Sequence, residues 1–413
     1  MPGATTTEQS ARTLTLNELN EAVSGSAAAF RCRRRLQPGG GEGDKVFPPT
    51  FAGAVYAVEQ RRVPGREQPV TCVLLDSVQS QANRMEQALQ DALDAKAIAL
   101  PIIEVDFSKA ELPEAVGKIT SLQAPHRLAD AILRDSEHNG QPFRKSEVAQ
   151  ALNQATPSNA TAIYNLCPTA LVFGMWDSTG PKGGLGAKFE RAVVSEVIGI
   201  GAESGLKTAS RIDPLITKTR GIVLYRTTDG RWTLDETMAV KEKNTPQKLG
   251  KDGKVSEANL GNVTPSIAPG GVTVDYAEQI TTVSLICLRR LRFPQEQHDH
   301  HATDAAGRAV LAALGLCAAT LAFESGMGLR SRCLLWPEAP MEWELLAKPG
   351  EAPARYTIDG DTAKKLLTDA VAAAEQAGLA WRKEPLKLTP SEDLVKLVRL
   401  SQQQAENEDS QGS

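Results

Sequence analysis

A glycine- and lysine-rich stretch, "FGMWDSTGPKGGLGAKFERAVVSEVIG" at residues 173–199, is the part of the sequence that most suggests chemistry. Glycines let backbone N–H groups approach a phosphate closely, and a following helix would present the positive end of its dipole. We expect this loop to hold phosphates through Lys182, Gly183, Gly184 and Lys188. A flexible surface loop is the alternative interpretation.

Two nucleotide-binding motifs are excluded for this loop. A P-loop needs a lysine after the motif glycine and then Ser or Thr. Lys182 follows Pro181, Lys188 follows Ala187, and neither lysine precedes a hydroxyl residue. The dinucleotide pattern GxGxxG fails because Phe189 stands where the third glycine belongs. The pattern therefore favours phosphates of a strand that is held over those of a nucleotide that is turned over.

Alternating arginines mark two predicted strands. The stretch "AFRCRRRL" places Arg31, Arg33 and Arg35 on one strand face, and "GMGLRSRC" repeats the alternation with Arg330 and Arg332. Every second residue of a strand lies roughly 6.6 Å from the last, so these side chains could follow the phosphates of an extended nucleic acid. A sheet edge guarded by charge is the alternative.

The stretch "DSVQSQANRMEQALQDAL" predicts a helix whose polar face could also contact a polyanion. Gln79 and Asn83 are four residues apart, as are Ser80 and Arg84, so each pair lies together on the helix surface. Asp76 and Gln79 have the spacing of a capping box at its start. A solvated helix face is the alternative.

No enzyme class is supported by the remaining residues. The histidine cluster "HDHH" at 298–301 has no neighbouring cysteine or second histidine group, so a solvated turn is favoured over a metal site. No serine lies in a GxSxG context, and no cysteine has an identifiable histidine partner. Aromatic residues are only 5% of the chain, too few for a standard RNA-stacking RRM. Any nucleic acid is therefore expected to be held mainly by its backbone.

Length and composition favour a large reduced globular protein. The 413 residues carry a net charge of −4, so a polyanion would have to bind to local basic patches. Six scattered cysteines without a CxxC pair, and no signal-like N-terminus, predict a cytoplasmic protein. The longest apolar run, Ala309 to Phe323, predicts a buried helix because it is short for a bilayer.

The predicted elements mix without regular βαβ alternation, which favours an α+β sheet with helices on one side. Strands are predicted at 29–36, 70–76, 98–107, 168–176 and 271–293, and helices at 76–93, 187–199, 303–326 and 359–379. Residues 240–271 lack apolar periodicity and predict a long exposed excursion.

Four stretches together resemble one known family. They are "RLQPGGGEGDKVFPPTF", "LLDSVQSQANRMEQAL", "NATAIYNLCPTALVFGMWDSTGPKGGLGAKFERAVVSEVIG" and "GLRSRCLL". In this order they resemble the backbone subunit of the type I-G (formerly I-U) CRISPR effector complex, Cascade, a member of the RAMP superfamily. The similarity extends over about residues 30 to 336, which is most of the chain.

The resemblance implies a modified ferredoxin-like (RRM-like) RAMP core with inserted thumb and finger elements. In that family several copies polymerise along one CRISPR RNA, a thumb displaces a base at regular intervals, and target DNA pairs with the exposed guide. The implied partners are the guide RNA, target DNA, further copies of the chain, a fused small-end and RNA-processing subunit, a large subunit and a helicase-nuclease. Neither catalysis nor a cofactor nor a membrane is implied.

The patterns and the resemblance together predict the RNA-binding residues. They are Arg31, Arg33, Arg35, Lys45, Gln79, Ser80, Asn83, Arg84, Lys182, Gly183, Gly184, Lys188, Arg330 and Arg332. The candidate thumb, residues 236–275, carries the lysines Lys241, Lys243, Lys248, Lys251 and Lys254. The expected layout is an N-terminal segment 1–25, the core 26–340, a helical extension 341–400 and a disordered acidic tail 401–413.

Two other classes remain open. One is a ribonuclease of the same superfamily, for which Asp44 in its glycine-rich loop is the residue to consider, although no accompanying catalytic residues are evident. The other is an interaction module that binds only protein.

Overall fold

The computed structural model describes residues 11–178, 186–215, 221–295 and 298–412, which form a mixed α+β fold. The chain divides into two compact units, and we describe each by itself. Unit 1 comprises Met1–Ser108, Gly117–Glu203 and Val272–Ser391, and unit 2 comprises Lys109–Val116, Ser204–Gly271 and Glu392–Ser413.

The helices of the described residues are numbered in chain order. They are α1 (Leu16–Ser24), α2 (Val78–Asp94), α3 (Ala131–Arg134), α4 (Glu147–Asn153), α5 (Thr161–Leu166), α6 (Thr169–Val172), α7 (Leu285–Arg289), α8 (His300–Glu324), α9 (Gly360–Gln376) and α10 (Glu392–Gly412). Side-chain caps start several of them. Thr15 and Glu18 form a capping box on α1, and Ser77 caps α2 by accepting from the Ser80 amide. Asp76, which was predicted as the cap, lies one residue before Ser77, and its carboxylate accepts from the side chains of Ser80 and Arg84 instead.

The strands are numbered in the same way. They are β1 (Arg12–Thr13), β2 (Ala29–Pro38), β3 (Val58–Arg61), β4 (Val70–Asp76), β5 (Ile103–Asp106), β6 (Lys118–Thr120), β7 (Ser136–His138), β8 (Gln141–Pro142), β9 (Met175–Trp176), β10 (Lys188–Phe189), β11 (Val193–Ile200), β12 (Glu203–Arg211), β13 (Tyr225–Arg226), β14 (Trp232–Thr233), β15 (Lys241–Glu242), β16 (Thr245–Pro246), β17 (Val263–Thr273), β18 (Tyr276–Ser284), β19 (Met327–Arg330), β20 (Cys333–Pro337), β21 (Trp343–Leu346), β22 (Ala354–Thr357) and β23 (Leu386–Pro390).

The centre of unit 1 is a ferredoxin-like core. Its elements follow in the chain order β2, α2, β11, β18, α8, β20, and its antiparallel strands lie in the sheet order β20-β2-β18-β11. This βαββαβ connectivity is that of the ferredoxin-like motif. The sequence-based prediction of an α+β, ferredoxin-like fold is therefore confirmed.

Additional strands widen the central sheet on both sides. Beyond β11 lie β4 and β3, and beyond β2 lie β21, β22 and β1. Strand β2 pairs with β20 at its C-terminal half and with β21 at its N-terminal half. A separate five-stranded sheet, β6-β5-β23-β7-β8, also belongs to unit 1.

The apolar core lies between the sheet and the helices on one of its faces. Phe30, Cys32 and Leu36 of β2 point inward and are buried, as the alternation predicts. Helix α8 packs against α1, α2 and α9. Among the described residues α8 alone is long and apolar enough to span a membrane. However, 72% of its most apolar 18-residue stretch is buried inside the molecule. It is thus a core helix, as predicted.

Two predicted elements around the glycine-rich loop are wrong. Residues 168–176 form the short helix α6 and only then β9, instead of one strand. Residues 187–199 form β10 and most of β11, instead of a helix. Strand β11 contains the β-branched residues Val193, Val194 and Ile198, and it pairs on both sides, with β4 and β18.

Unit 2 contains most of the chain between β11 and β18. Strands β12 and β17 form a two-stranded ribbon, and β13-β14 and β15-β16 form two small hairpins. The polar excursion predicted at 240–271 is therefore partly strand. Helix α10 continues through residues 401–412, where the sequence suggests a disordered tail.

Candidate nucleic-acid interface

The arginines of β2 lie on the exposed face of the central sheet, as predicted, but each has an acidic partner. Arg31 contacts Glu344 at 2.6 Å, and Arg33 contacts Glu278 at 2.6 Å. Arg35 lies 3.8 Å from the Glu338 carboxylate and stacks on the Tyr276 ring. Because these charges are balanced across strands, this face is not the free cationic row that the arginine spacing suggests.

The polar face of α2 carries one pair of side chains that are exposed to solvent and one pair that bind Asp76. Gln79 and Asn83 are exposed. Ser80 and Arg84 turn back toward Asp76, the last residue of β4. Of the four predicted residues, only Arg84 brings a full charge, and its side chain is 34% exposed.

Asp76 is fully buried and accepts hydrogen bonds from four side chains. Its Oδ1 accepts from Ser80 Oγ at 2.8 Å and from Arg330 Nη2 at 3.1 Å. Its Oδ2 accepts from Gln81 Nε2 at 2.6 Å and from Arg84 Nε at 2.9 Å. One carboxylate thus holds two guanidinium groups, and a net positive charge remains.

Two further cations lie near the Phe47 ring, namely Arg332 in the turn between β19 and β20 and Lys45 in the loop after β2. Arg332 has a left-handed φ of 58° and lies over the Phe47 ring at 4.0 Å. The Phe47 amide donates to the Arg332 carbonyl at 3.0 Å. Arg330 Nη1 donates to the Phe47 carbonyl at 3.4 Å, and Lys45 Nζ lies 5.9 Å from the ring.

We call Lys45, Arg84, Arg330 and Arg332 the basic cluster. Its members come from three parts of the chain, namely the loop after β2, helix α2 and the end of β19 with the turn that follows it, and Phe47 and Asp76 connect them. All four cations were predicted separately from the sequence. Their convergence was not predicted, because Asp76 is 254 residues from Arg330.

The other predicted groups lie elsewhere or outside the described residues. Lys182, Gly183 and Gly184 lie outside them. Lys188 begins β10, and its ammonium lies 5.3 Å from the Trp176 ring. Because a strand follows, the helix dipole expected for this loop does not contribute.

The candidate thumb lysines belong to unit 2. Lys241, Lys243, Lys248, Lys251 and Lys254 are all exposed, and Lys254 pairs with Asp252 at 2.5 Å. The adjoining ribbon also exposes apolar side chains, with Leu206 60% and Ile267 72% accessible.

A deeply buried ion pair connects Glu86 of α2 with Arg127. Arg127 Nε and Nη2 donate to the Glu86 carboxylate at 2.6 and 2.8 Å, and Nη1 donates to the Gly174 carbonyl at 3.1 Å. Burial raises the pKa of Glu86 to about 7, although Arg127 opposes the shift. This pair was also missed. Its signal is a glutamate at position 86 inside the apolar stripe of Ala82, Met85 and Leu89.

Asp44, the residue considered for ribonuclease activity, is exposed and accepts from the Lys45 amide at 2.8 Å. Within the described ranges, no group of three or more His, Cys, Asp or Glu side chains is placed to hold a metal ion.

One comparison with known proteins gives a match. Residues 30–204 match the model of a family described as CRISPR-associated protein GSU0053. The matched stretch includes Lys45, Asp76 and Arg84 and ends where β12 begins. No curated protein matches the chain. Over these residues the chain is similar to a CRISPR-associated protein, which indicates a role in CRISPR defence.

Proposed function

We propose that this chain is the guide-RNA-binding backbone subunit of a type I-G CRISPR effector complex. Several copies assemble along one CRISPR RNA and present it for pairing with target DNA. The observation that carries the proposal is the basic cluster, in which three segments distant in sequence place four cations around Phe47 and the buried Asp76 carboxylate.

The chemistry of the basic cluster favours an RNA backbone. Arginine binds phosphate through two parallel donors, and an aromatic ring beside it can stack on a base. The chain is acidic as a whole, so the cluster supplies attraction locally. Sequence would then be read by base pairing of the guide, as in other RNA-guided systems.

The insertion between β11 and β18 is proposed as the thumb. It begins at Glu203, earlier than the boundary at 236 inferred from sequence, because β12 already belongs to its ribbon. Exposed aliphatic side chains such as Ile267 are of the kind that separates stacked bases. The exposed lysines of unit 2 would contact phosphates.

The chain is proposed to be cytoplasmic and non-catalytic, with the other effector subunits as partners. Its six cysteines are free thiols, which suits a reducing compartment. RNA cleavage would then belong to another subunit.

The test is co-expression with a CRISPR RNA, followed by size-exclusion chromatography with absorbance at two wavelengths. The wild-type chain is expected in a large RNA-containing assembly that shortens when the guide is shortened. Lys45→Ala with Arg332→Ala is expected to reduce bound RNA. The control, Arg355→Ala with Lys387→Ala, removes the same charge from exposed positions on β22 and β23, and we expect it to retain the bound RNA.

Three results would count against the proposal. An RNA-free monomer would do so, and so would equal RNA loss in both double variants. Specific cleavage of labelled CRISPR RNA or target RNA by the chain alone would favour the ribonuclease alternative.

A further inference from the structure

Asp76, the last residue of β4, is a fully buried carboxylate. Taking a carboxylate out of water costs several kcal/mol unless donors replace the water. Here Ser80, Gln81, Arg84 and Arg330 supply those donors. The result is a fixed geometry for two guanidinium groups from separate elements.

Both arginines are also anchored by backbone. Arg84 Nη2 donates to the Leu329 carbonyl at 2.6 Å, and Arg330 Nη1 donates to the Phe47 carbonyl. Together with the bonds to Asp76, these contacts engage two nitrogens of each guanidinium, which carries five N–H donors. Their side chains remain 34% and 25% exposed, so donors are left for a ligand.

We propose that Asp76 is a positioning residue that sets Arg84 and Arg330 side by side as a seat for one phosphodiester group. Arg332 and Lys45 then contact the neighbouring phosphates of the same RNA strand. The inference rests on the proposed function, because it concerns how the same surface grips RNA.

Electrostatics and positioning predict opposite effects for Asp76→Asn. Removing a negative charge from the seat should strengthen RNA binding if charge alone mattered. If Asp76 positions the arginines, the amide breaks the seat, since its NH₂ group cannot accept from a guanidinium. We expect RNA binding by the full chain to weaken roughly tenfold.

The measurement is fluorescence anisotropy with a labelled mixed-sequence single-stranded RNA, repeated over a salt series. The slope of log affinity against log salt reports the number of phosphate contacts, so it should become shallower in Asp76→Asn. The matched control is Asp304→Asn. Asp304 is another buried carboxylate holding two arginines, Arg292 at 3.2 Å and Arg308 at 3.0 Å. The control should lose stability without a change in salt slope.

A double-mutant cycle separates positioning from general damage. In a background with Arg84→Ala and Arg330→Ala, Asp76→Asn should cause no further loss of RNA affinity, because its effect acts through those side chains. A loss of equal size in both backgrounds would overturn the inference.

A second variant covers the case in which Asp76→Asn does not fold. Arg330→Lys keeps the charge but loses the forked geometry, so binding should weaken several-fold. Unchanged affinity in Arg330→Lys, or unchanged or tighter binding in Asp76→Asn, would overturn the inference and leave RNA binding intact. Absence of RNA binding in the wild type would instead overturn the proposed function.

Discussion

At the residue scale, the buried ion pair of Glu86 and Arg127 holds a strained backbone conformation and links two segments of unit 1. Their side chains are 3% and 8% exposed, and Arg127 has a left-handed φ of 51°. A non-glycine residue in that region is strained, so the surrounding contacts must hold it there. Through Gly174 the pair joins α2 to the chain just before β9.

The raised pKa of Glu86 predicts a specific pH dependence. Its pKa rises from 4.5 to about 7 in the fold, mainly because burial disfavours the charged form. Between these values the folded chain binds more protons than the unfolded chain, so the stability contributed by Glu86 falls as pH rises through about 7. Glu86→Gln should remove this dependence. The thermal midpoint of the wild type, relative to Glu86→Gln, is therefore expected to decrease from mildly acidic to mildly alkaline pH.

The control for this prediction is Glu59→Gln, an exposed carboxyl on β3. Its thermal midpoint should follow that of the wild type across the same pH range. If Glu86→Gln also ran parallel to the wild type, the buried carboxyl would not be the group that titrates.

At the element scale, local pattern was enough where apolar residues recur with a clear period or form a long continuous run. Strands β2 and β4 and helices α2, α8 and α9 lie close to their predicted positions. Strand β11 was mistaken for a helix because "AKFERAVVSEVIG" places apolar residues at spacings that suit either structure. Residues 193–200 form a strand because they pair with β4 and β18, which are distant in sequence and so cannot be seen in the local pattern.

The candidate site was predictable residue by residue but not as an arrangement. Arg84, Arg330 and Arg332 stood out by charge and spacing. Their common partner Asp76 lies eight residues from one and 254 from another. The β2 arginines, predicted with equal reason, are balanced by glutamates from β18 and β21. Such pairings depend on tertiary structure.

Close packing of α8 on β11 depends on Gly315. A Cβ built at this position would lie 2.7 Å from Val193 Cγ2. Gly315→Ala should therefore push the helix from the sheet and reduce the free energy of unfolding by about 1–3 kcal/mol, despite the better helix propensity of alanine. Urea denaturation measures the change.

Gly328 on β19 is the matched control for this packing prediction. A Cβ there would lie 4.0 Å from the nearest atom, on the Leu334 side chain, so Gly328→Ala should leave stability nearly unchanged. A Gly315→Ala variant as stable as the wild type would show that the interface between α8 and β11 can relax.

At the scale of the whole molecule, the large insertion leaves unit 1 through adjacent strand ends. Ile200 at the end of β11 pairs with Tyr276 at the start of β18, and the Asp275 amide donates to the Ile200 carbonyl at 2.8 Å. A short turn could join these ends as in an ordinary hairpin. The basic cluster lies entirely in unit 1.

Replacing residues 204–271 with a short glycine-rich turn should therefore keep a folded chain that still binds RNA. Cooperative thermal unfolding would report the fold, and fluorescence anisotropy would report RNA affinity. We expect affinity to fall only by the contribution of the exposed unit 2 lysines, because Lys45, Arg84, Arg330 and Arg332 remain. Ribonuclease protection of a bound guide should lose its regular pattern of displaced bases. A well-folded deletion variant without RNA affinity would place the main phosphate contacts in the insertion, and a guide with unchanged periodic protection would exclude the insertion as the thumb.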